Sequence, residues 1–448
     1  MSTATSHDEL LTLDAISEHL AKALVHSPAD ETELVWIEAR QGRAASRGSR
    51  VEAGTARHRT LMVRVLDRGR VGSHRTGFTR DGEIADAIRQ AMAQSRIHAP
   101  LAGLPHLTAD ETAVVDAGVT ACPKIAQLGR DGARRLLEQW RRKREAITFD
   151  WTFARVAVYN SRGIRRSTEV TSAALQVRQS RRPGGGRAAT AARSLEAIDG
   201  PALWDVSAAR HATGDSTELP GAPGDAVPVV LSGEATIELV ALLNRTALSA
   251  GSYSEGTSFL REHLGVQVFD RAISLRDDAT DPSGLPFPFD LEGTAKRPVE
   301  MIVEGIAKTP ALDQRQAARL GLPPTAHSIS GNDARAENLF LLPGSASEEA
   351  LLEEADGGLW IGWLDAVAPV EPRRVRFLAH ARGVRRIRDG HLAEAVPDCI
   401  WDDSLLRCLS GSPRVGEAMT RRLSRDGILG GICAPPLLLS AHGLEAAP

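Results

Sequence analysis

Two glutamates one helical turn apart, Glu234 and Glu238, come closest in type and spacing to catalytic chemistry in this chain. They follow the strand-like apolar run that begins at Val229. Ser232 is placed to cap a helix, and Ile237, Val240, Leu243 and Leu248 recur beyond Glu234 at helical spacing. On such a helix the two carboxylates share a face, where like charges are mildly destabilising in isolation. A zinc hydrolase would place two histidines about one turn apart here, with a glutamate beside the first to deprotonate a metal-bound water. This segment supplies the glutamate without the histidines. The pair then reads either as a solvated or partner-facing helix surface or as a relict or repurposed metal site.

Other constellations carry less. His391 and Glu394 have an HxxE spacing but follow a turn in strand-rich sequence, so the side chains need not converge, and His263, His327 and His380 have no companion at ligand spacing. GxSxG, Walker and strand–GxGxxG–helix patterns are absent, and the glycines at 184–186 sit in an Arg-rich stretch with no helix to follow. Basic clusters at 140–145 and 178–187 could meet phosphates. Against that, 57 acidic residues outweigh 54 basic ones and no aromatic residues interleave the arginines to stack bases, which disfavours nucleic acid.

The elements that must position the glutamates read as α+β. Apolar periodicity predicts helices over Glu9–Val25, over Asp81–Ser95 with Thr79 or Asp81 as cap, and over 124–146. Strands are expected at Leu34–Ala39, from Val51, at Leu61–Leu66 and in a meander from Thr148 to Val177 around the turn that ends in Gly163. Residues 178–187 break all periodicity and read as an exposed loop. Between Leu219 and Pro228, three prolines and two glycines can continue neither helix nor sheet, which puts a domain border there: 1–220 as an N-terminal α+β domain, 221–448 as a β-rich one. Short strands follow at Pro298–Val303, Asn338–Leu342, Leu359–Leu364 and Val375–Arg388, the last ending in an Asp389–Gly390 hairpin turn.

At 448 residues the chain is long enough for two cores, since single cores stop growing near ~250–300 residues. A net charge of −3 predicts no general affinity for polyanions. The four cysteines, Cys122, Cys399, Cys408 and Cys433, lack CxxC spacing and read as reduced thiols. With no signal-like N-terminus and no apolar run near ~18 residues, the expected location is the cytoplasm, away from membrane.

Several segments in order, Thr60–Gly72, Val156–Gly163, Gly284–Gly293, Ser328–Asn332 and Ala336–Gly344, resemble the TldD/PmbA family over about residues 30–440. Within that family the TldD type carries an HExxxH zinc motif and a later cysteine ligand, and the PmbA or TldE type lacks them. Aligning the glutamates puts Gly233 at the first histidine, Glu234 at the glutamate and Glu238 at the second histidine. The cysteine position falls near Leu423, with Cys433 about ten residues too late. The chain is thus similar to the PmbA/TldE type, and the resemblance implies a closed or nearly closed antiparallel sheet in the second domain.

What the resemblance implies about function is a noncatalytic subunit with no cofactor of its own. It would pair with a zinc-bearing, HExxxH-containing TldD-like homologue, and the complex would degrade or process unfolded peptides, including natural-product leader peptides. The alternative is a self-sufficient homodimer with a divergent activity or binding role in a biosynthetic pathway. Asp290, Glu292 and Gly293, with Ser330, Gly331 and Asn332, are family-like motif positions. They read as structural turns or bulges first and as peptide or partner contacts second. An early family label as modulator of DNA gyrase does not outweigh the charge balance.

Overall fold

The computed structural model describes residues 10–447 except 48–49, 78–82, 102, 110–117, 119, 143–144, 180–184, 213, 215–218, 221–224, 331–332 and 425–426. The expected cap at Thr79 or Asp81, the middle of the 178–187 stretch, much of the prolyl segment before Pro228, and Gly331 and Asn332 lie outside the described residues.

The first half is built on one antiparallel sheet. Helix α1 (Leu13–Val25) starts at Thr12, whose hydroxyl accepts from the Ala15 amide at 3.2 Å, and buries Ile16, Leu20 and Leu24 along one stripe. Strands β1 (Glu31–Arg47) and β2 (Arg50–Asp67) form a hairpin far longer than the apolar alternation foretells. β3 (Arg70–Gly77) and α2 (Glu83–Ile97) follow. The helix expected over 124–146 is two, α3 (Pro123–Ala126) and α4 (Arg130–Trp140), separated at Gly129, and the chain is already in β4 (Ala146–Asn160) by residue 146. β5 (Arg165–Arg178) and β6 (Arg187–Ala192) complete the order β3-β2-β1-β4-β5-β6, and α5 (Gly200–Ala209) closes the half. Gly163 turns the β4–β5 hairpin at φ +101°, as its position foretells.

Strand alternation gives the two faces of this sheet different tasks. Leu34, Trp36 and Ala44 of β1 face the helices, with Phe149, Trp151, Leu175 and Val177 on neighbouring strands. On the opposite face Val35 and Ala39 pack with Val156 and Val158 against Phe287, Phe289 and Leu291 of the second half. Further along that face the apolar side chains stop. Registered rows of Arg43–Asp150–Ala174–Ala191 and Ala45–Thr148–Gln176–Ala189 replace them with small and polar residues.

The second half opens with β7 (Val227–Leu231) and helix α6 (Gly233–Leu243). The expected closed sheet is not what forms. Among the described residues there are instead open sheets, one of six strands in the order His391–Ala395, Arg385–Arg388, Leu359–Ile361, β7, Leu437–Ala441 and Arg414–Val415. A second sheet of six contains Asn338–Leu341, Gly431–Ala434 and Thr420–Leu423, and a sheet of four starts at Trp363–Glu371. Closure needs strands long enough to tilt and stagger around an axis. Most of these are two to five residues long, and Leu359–Ile361 with β7 and Asn338–Leu341 with Gly431–Ala434 pair in parallel, so the sheets wrap a shared core that includes α6. The Asp389–Gly390 hairpin forms as expected, with Arg388 opposite His391.

The halves are fastened by buried polar groups. Arg193, just beyond β6, donates to the carbonyls of Thr171, Leu285, Pro286, Gly427 and Ile428 at 2.8–3.4 Å with no acid among these partners, and burial lowers its pKa to about 9.

Candidate functional site

Helix α6 is positioned from both ends of Ser232. Its hydroxyl caps the helix by accepting from the Ala235 amide at 3.2 Å and donates to the carbonyl of Gly362 in the neighbouring strand connection. Nine of the eleven helix residues are buried, so Glu234 and Glu238 mark the one face not committed to core. That face looks into a cavity of about 1340 Å³ between the small polar floor of the first sheet and the wall formed by α6, Trp363–Asp365 and Thr420–Ser424. The volume exceeds the roughly 300–1,000 Å³ of clefts that hold drug-sized ligands.

Three of the four positions aligned with the zinc motif line this cavity: Glu234, Glu238 and Leu423. Gly233 lies behind them, packed on the strand Thr420–Leu423. A Cβ there would stand 2.2 Å from Thr420 Oγ1, 2.6 Å from Thr420 Cβ and 3.0 Å from the Ala434 carbonyl oxygen. Neither Gly233 nor Leu423 offers a donor atom, and no side chain enters at 233 without moving that strand.

Both carboxylates are held by guanidinium groups. Glu234 forms ion pairs with Arg187 at 3.1 Å and Arg210 at 3.6 Å, and Glu238 with Arg422. Arg187 and Arg178 lie over the ring of Trp363 at 5.0 and 5.3 Å, and Arg210 over Trp360 at 5.5 Å. Positive charge that a metal would supply is thus supplied by arginine, and the donor set does not fit zinc: two carboxylates already neutralised, no imidazole and no thiolate. Among the described residues no cluster of three or more His, Cys, Asp or Glu is arranged to hold a metal ion. Cys433 is buried at 2% exposure, and burial pushes its thiol up to about 12.

The second set of motif residues lies elsewhere. Asp290 accepts from the amides of Glu292, Thr294 and Ser328 at 2.9–3.0 Å, and Gly293 turns at φ +78° where a Cβ would be 2.4 Å from Ile164 Cγ2. Glu292 accepts from Arg64 at 2.6 Å and from the Gln314 amide at 3.1 Å, and the other arm of Arg64 reaches Glu33 at 2.9 Å. These groups tie the two halves together, and none of Asp290, Glu292 and Gly293 lines the cavity. Ser330 ends a three-residue strand paired with Asp333–Ala334. Glu394 is paired with Arg388 at 2.6 Å, away from any HxxE partnership.

Sequence reasoning missed Arg187, Arg210, Arg422 and Trp363. Arg187 stood in a stretch read as exposed loop, yet it opens β6 and turns inward. Arg422 was adjacent to Leu423 and could have been found by asking what cation faces Glu238. A second buried group, His327 Nε2 against Asp277 Oδ1 at 3.1 Å with Lys296 nearby, joined residues too far apart in sequence to be linked.

No helix among the described residues is long and apolar enough to cross a membrane. Among known proteins, a Metalloprotease of Archaeoglobus fulgidus is 26% identical over 166 residues, covering 36% of this chain and 39% of that protein, so the match spans well under half of the relative. Three solved structures share the fold. A Thermotoga maritima protein described as a candidate modulator of a DNA gyrase superposes with TM-score 0.81 at 19% identity over 96% of this chain and 100% of its own. TldE from Thermococcus kodakarensis gives 0.79 at 17% over 97% and 100%. A Bacteroides thetaiotaomicron protein described like the first gives 0.77 at 15% over 98% and 100%. Residues 223–444, which carry α6, its arginine-paired glutamates and the strand behind Gly233, match the family model of the PmbA/TldA metallopeptidase C-terminal domain, and the chain belongs to the TldD/PmbA family.

Proposed function

We propose that this chain is the noncatalytic, TldE-type subunit of a cytoplasmic two-component metallopeptidase. In this reading the zinc and its HExxxH glutamate come from a TldD-like partner, and the present chain contributes a chamber for unfolded peptide. The observation that carries it is the state of the motif helix: Gly233 is packed where a histidine has no room, and Glu234 and Glu238 are neutralised by Arg187, Arg210 and Arg422. In a zinc hydrolase the glutamate acts on a water whose pKa the metal has lowered from ~15.7 toward ~7. Glu234 faces guanidinium groups instead. The polar floor of the cavity, with Gln41, Thr148, Thr152 and Gln176, suits a peptide backbone that must exchange water for protein hydrogen bonds.

The test is made on this chain co-purified with a zinc-bearing HExxxH homologue. Elemental analysis should find no stoichiometric zinc in the isolated chain, and cleavage of an unfolded peptide should appear only in the mixture. Glu234→Gln in this chain should leave that cleavage within a few-fold of wild type, and the corresponding change in the partner should abolish it. Loss of activity with Glu234→Gln, or metal-free cleavage by this chain alone, would make it catalytic and overturn the assignment.

A further inference from the structure

The charges around α6 do not balance. Three guanidinium groups, Arg187, Arg210 and Arg422, face two carboxylates, and Arg187 and Arg210 share one of them, Glu234. Arg421, the next residue on the same strand, also lines the cavity and donates to the Ser283 carbonyl at 3.0 Å. Nearby, the exposed Arg245 has its pKa lowered, first by desolvation, with Arg422 and Arg335 adding to the shift against the opposing pull of Glu238. Elsewhere on the wall the charges cancel: Arg43 is paired with Asp150 at 2.6 Å and Glu52 with Arg50 at 3.3 Å. Asp365, the remaining cavity carboxylate, is served by Arg382 at 3.6 Å and by the Trp363 indole at 3.4 Å. One end of the cavity therefore holds a surplus of planar, weakly hydrated donors beside the face of an aromatic ring.

Of the three guanidinium groups paired with the α6 glutamates, Arg422 is the most exposed. Its side chain is 41% exposed and that of Glu238 is 27% exposed, whereas Arg187 and Arg210, at 23% and 15%, are each packed on a tryptophan. A guanidinium has five donors in a fixed fork, and a single carboxylate does not use them all.

We propose that this end of the cavity is a subsite for a carboxylate of an extended peptide, with Arg422 and Arg187 as its donors and Arg210, outside the lining, holding Glu234 from behind. The carboxylate comes from an Asp or Glu side chain or from a peptide C-terminus, and the subsite thereby selects acidic segments among unfolded chains. It rests on the reading of the cavity as a peptide chamber, and adds to that reading the charge of what is received.

The experiment uses the purified full chain and three fluorescein-labelled octapeptides built on Ser and Thr. One carries two Glu residues and an amidated C-terminus, the second is its Gln isostere, and the third is the Gln isostere with a free C-terminal carboxylate. By fluorescence anisotropy at about 50 mM salt the Glu peptide should bind at least about tenfold tighter than the amidated Gln peptide, the margin of one charge-assisted contact. That margin should shrink at 0.5 M salt, where the screening length drops below about 5 Å. Arg422→Gln should remove the margin and Arg422→Lys should keep part of it. If the free-carboxylate peptide alone shows the margin, the source is a C-terminus; if the Glu peptide shows it, side chains suffice. Equal binding of all three, a margin untouched by Arg422→Gln, or no saturable binding of any peptide overturns the subsite. Partner-dependent cleavage separates the two readings. If acidic and neutral peptides are cleaved equally well, the subunit assignment survives and the subsite falls. If acidic preference persists in binding while no partner confers cleavage, the subsite survives and the assignment falls.

Discussion

At Gly233 the backbone of α6 touches the strand Thr420–Leu423 so closely that side-chain volume, and not ligand chemistry, decides which residue can stand there. A histidine there would press on Thr420 and on the Ala434 carbonyl, which stand opposite each other on paired strands. Even a methyl group is too much. Gly233→Ala should destabilise the protein by about 1–3 kcal/mol, the usual cost of overpacking a filled core, with part of the loss recovered when Thr420→Ala is added. Urea denaturation of the single and double variants tests it, and an unchanged midpoint for Gly233→Ala would show that the strand yields freely. Glu234 illustrates the complementary point, since i,i+4 spacing correctly put it and Glu238 on one face while nothing local to the helix named Arg187, Arg210 or Arg422 as their partners. Those arginines come from β6, the C-terminal cap of α5 and a strand near the C-terminus, between 24 and 184 residues away in sequence from the glutamates they pair with.

Between elements, the contact of β1 and β2 with the segment 287–314 is held by charges that burial makes costly. Glu33 is raised from its ordinary 4.5 to about 7, first by burial, with Arg64 pulling down and Glu292 and Asp290 pushing up. Asp290 is likewise raised to about 7 by burial and by Glu292, and Asp313 to about 6 by burial and Glu292, each against the amides or cations beside it. Carboxyls that hold their protons longer in the folded chain than in the unfolded one contribute stability that is fully present below the unfolded pKa and is lost as pH rises through the folded one. For Glu33 the window runs from about 4.5 to about 7. Glu33→Gln keeps an oxygen for Arg64 and removes the titration, so wild type should lose about 1–3 kcal/mol relative to this variant between those pH values. Chemical denaturation across that range checks it. Parallel pH profiles for the two proteins would mean that Arg64 holds Glu33 ionised throughout.

For the whole molecule, open sheets leave edges, and one edge is conspicuous. In the strand Trp363–Glu371, at the end of its four-stranded sheet, Ala366, Ala368, Pro369 and Val370 are exposed, and across from Ala368 Leu378 is 37% exposed. Pro369 and two register shifts blunt its hydrogen-bonding ladder, so what it offers is an apolar surface for a partner to cover. The protein should therefore sediment as a dimer or as a complex with its zinc-bearing homologue, and Val370→Lys with Leu378→Lys should shift it toward monomer. A stable monomer at micromolar concentration, indifferent to that homologue, would count against assembly through this edge.

Local spacing was enough for the helices at both ends of the first sheet, for the Gly163 and Asp389–Gly390 turns and for the α6 helix with its paired glutamates, because each depends on contacts within a few residues. Order of motifs along the chain was enough for the family. The length of β1 and β2 was hidden, since beyond Ala39 one face borders a cavity and carries no apolar alternation to read. The openness of the sheets was hidden too, since pairing direction and closure depend on where each short strand meets a distant one. The cavity itself, its arginine end and the clamp of Arg193 on five carbonyls were decided by tertiary structure alone, because desolvation and charge pairing act between atoms brought close only when the two halves pack.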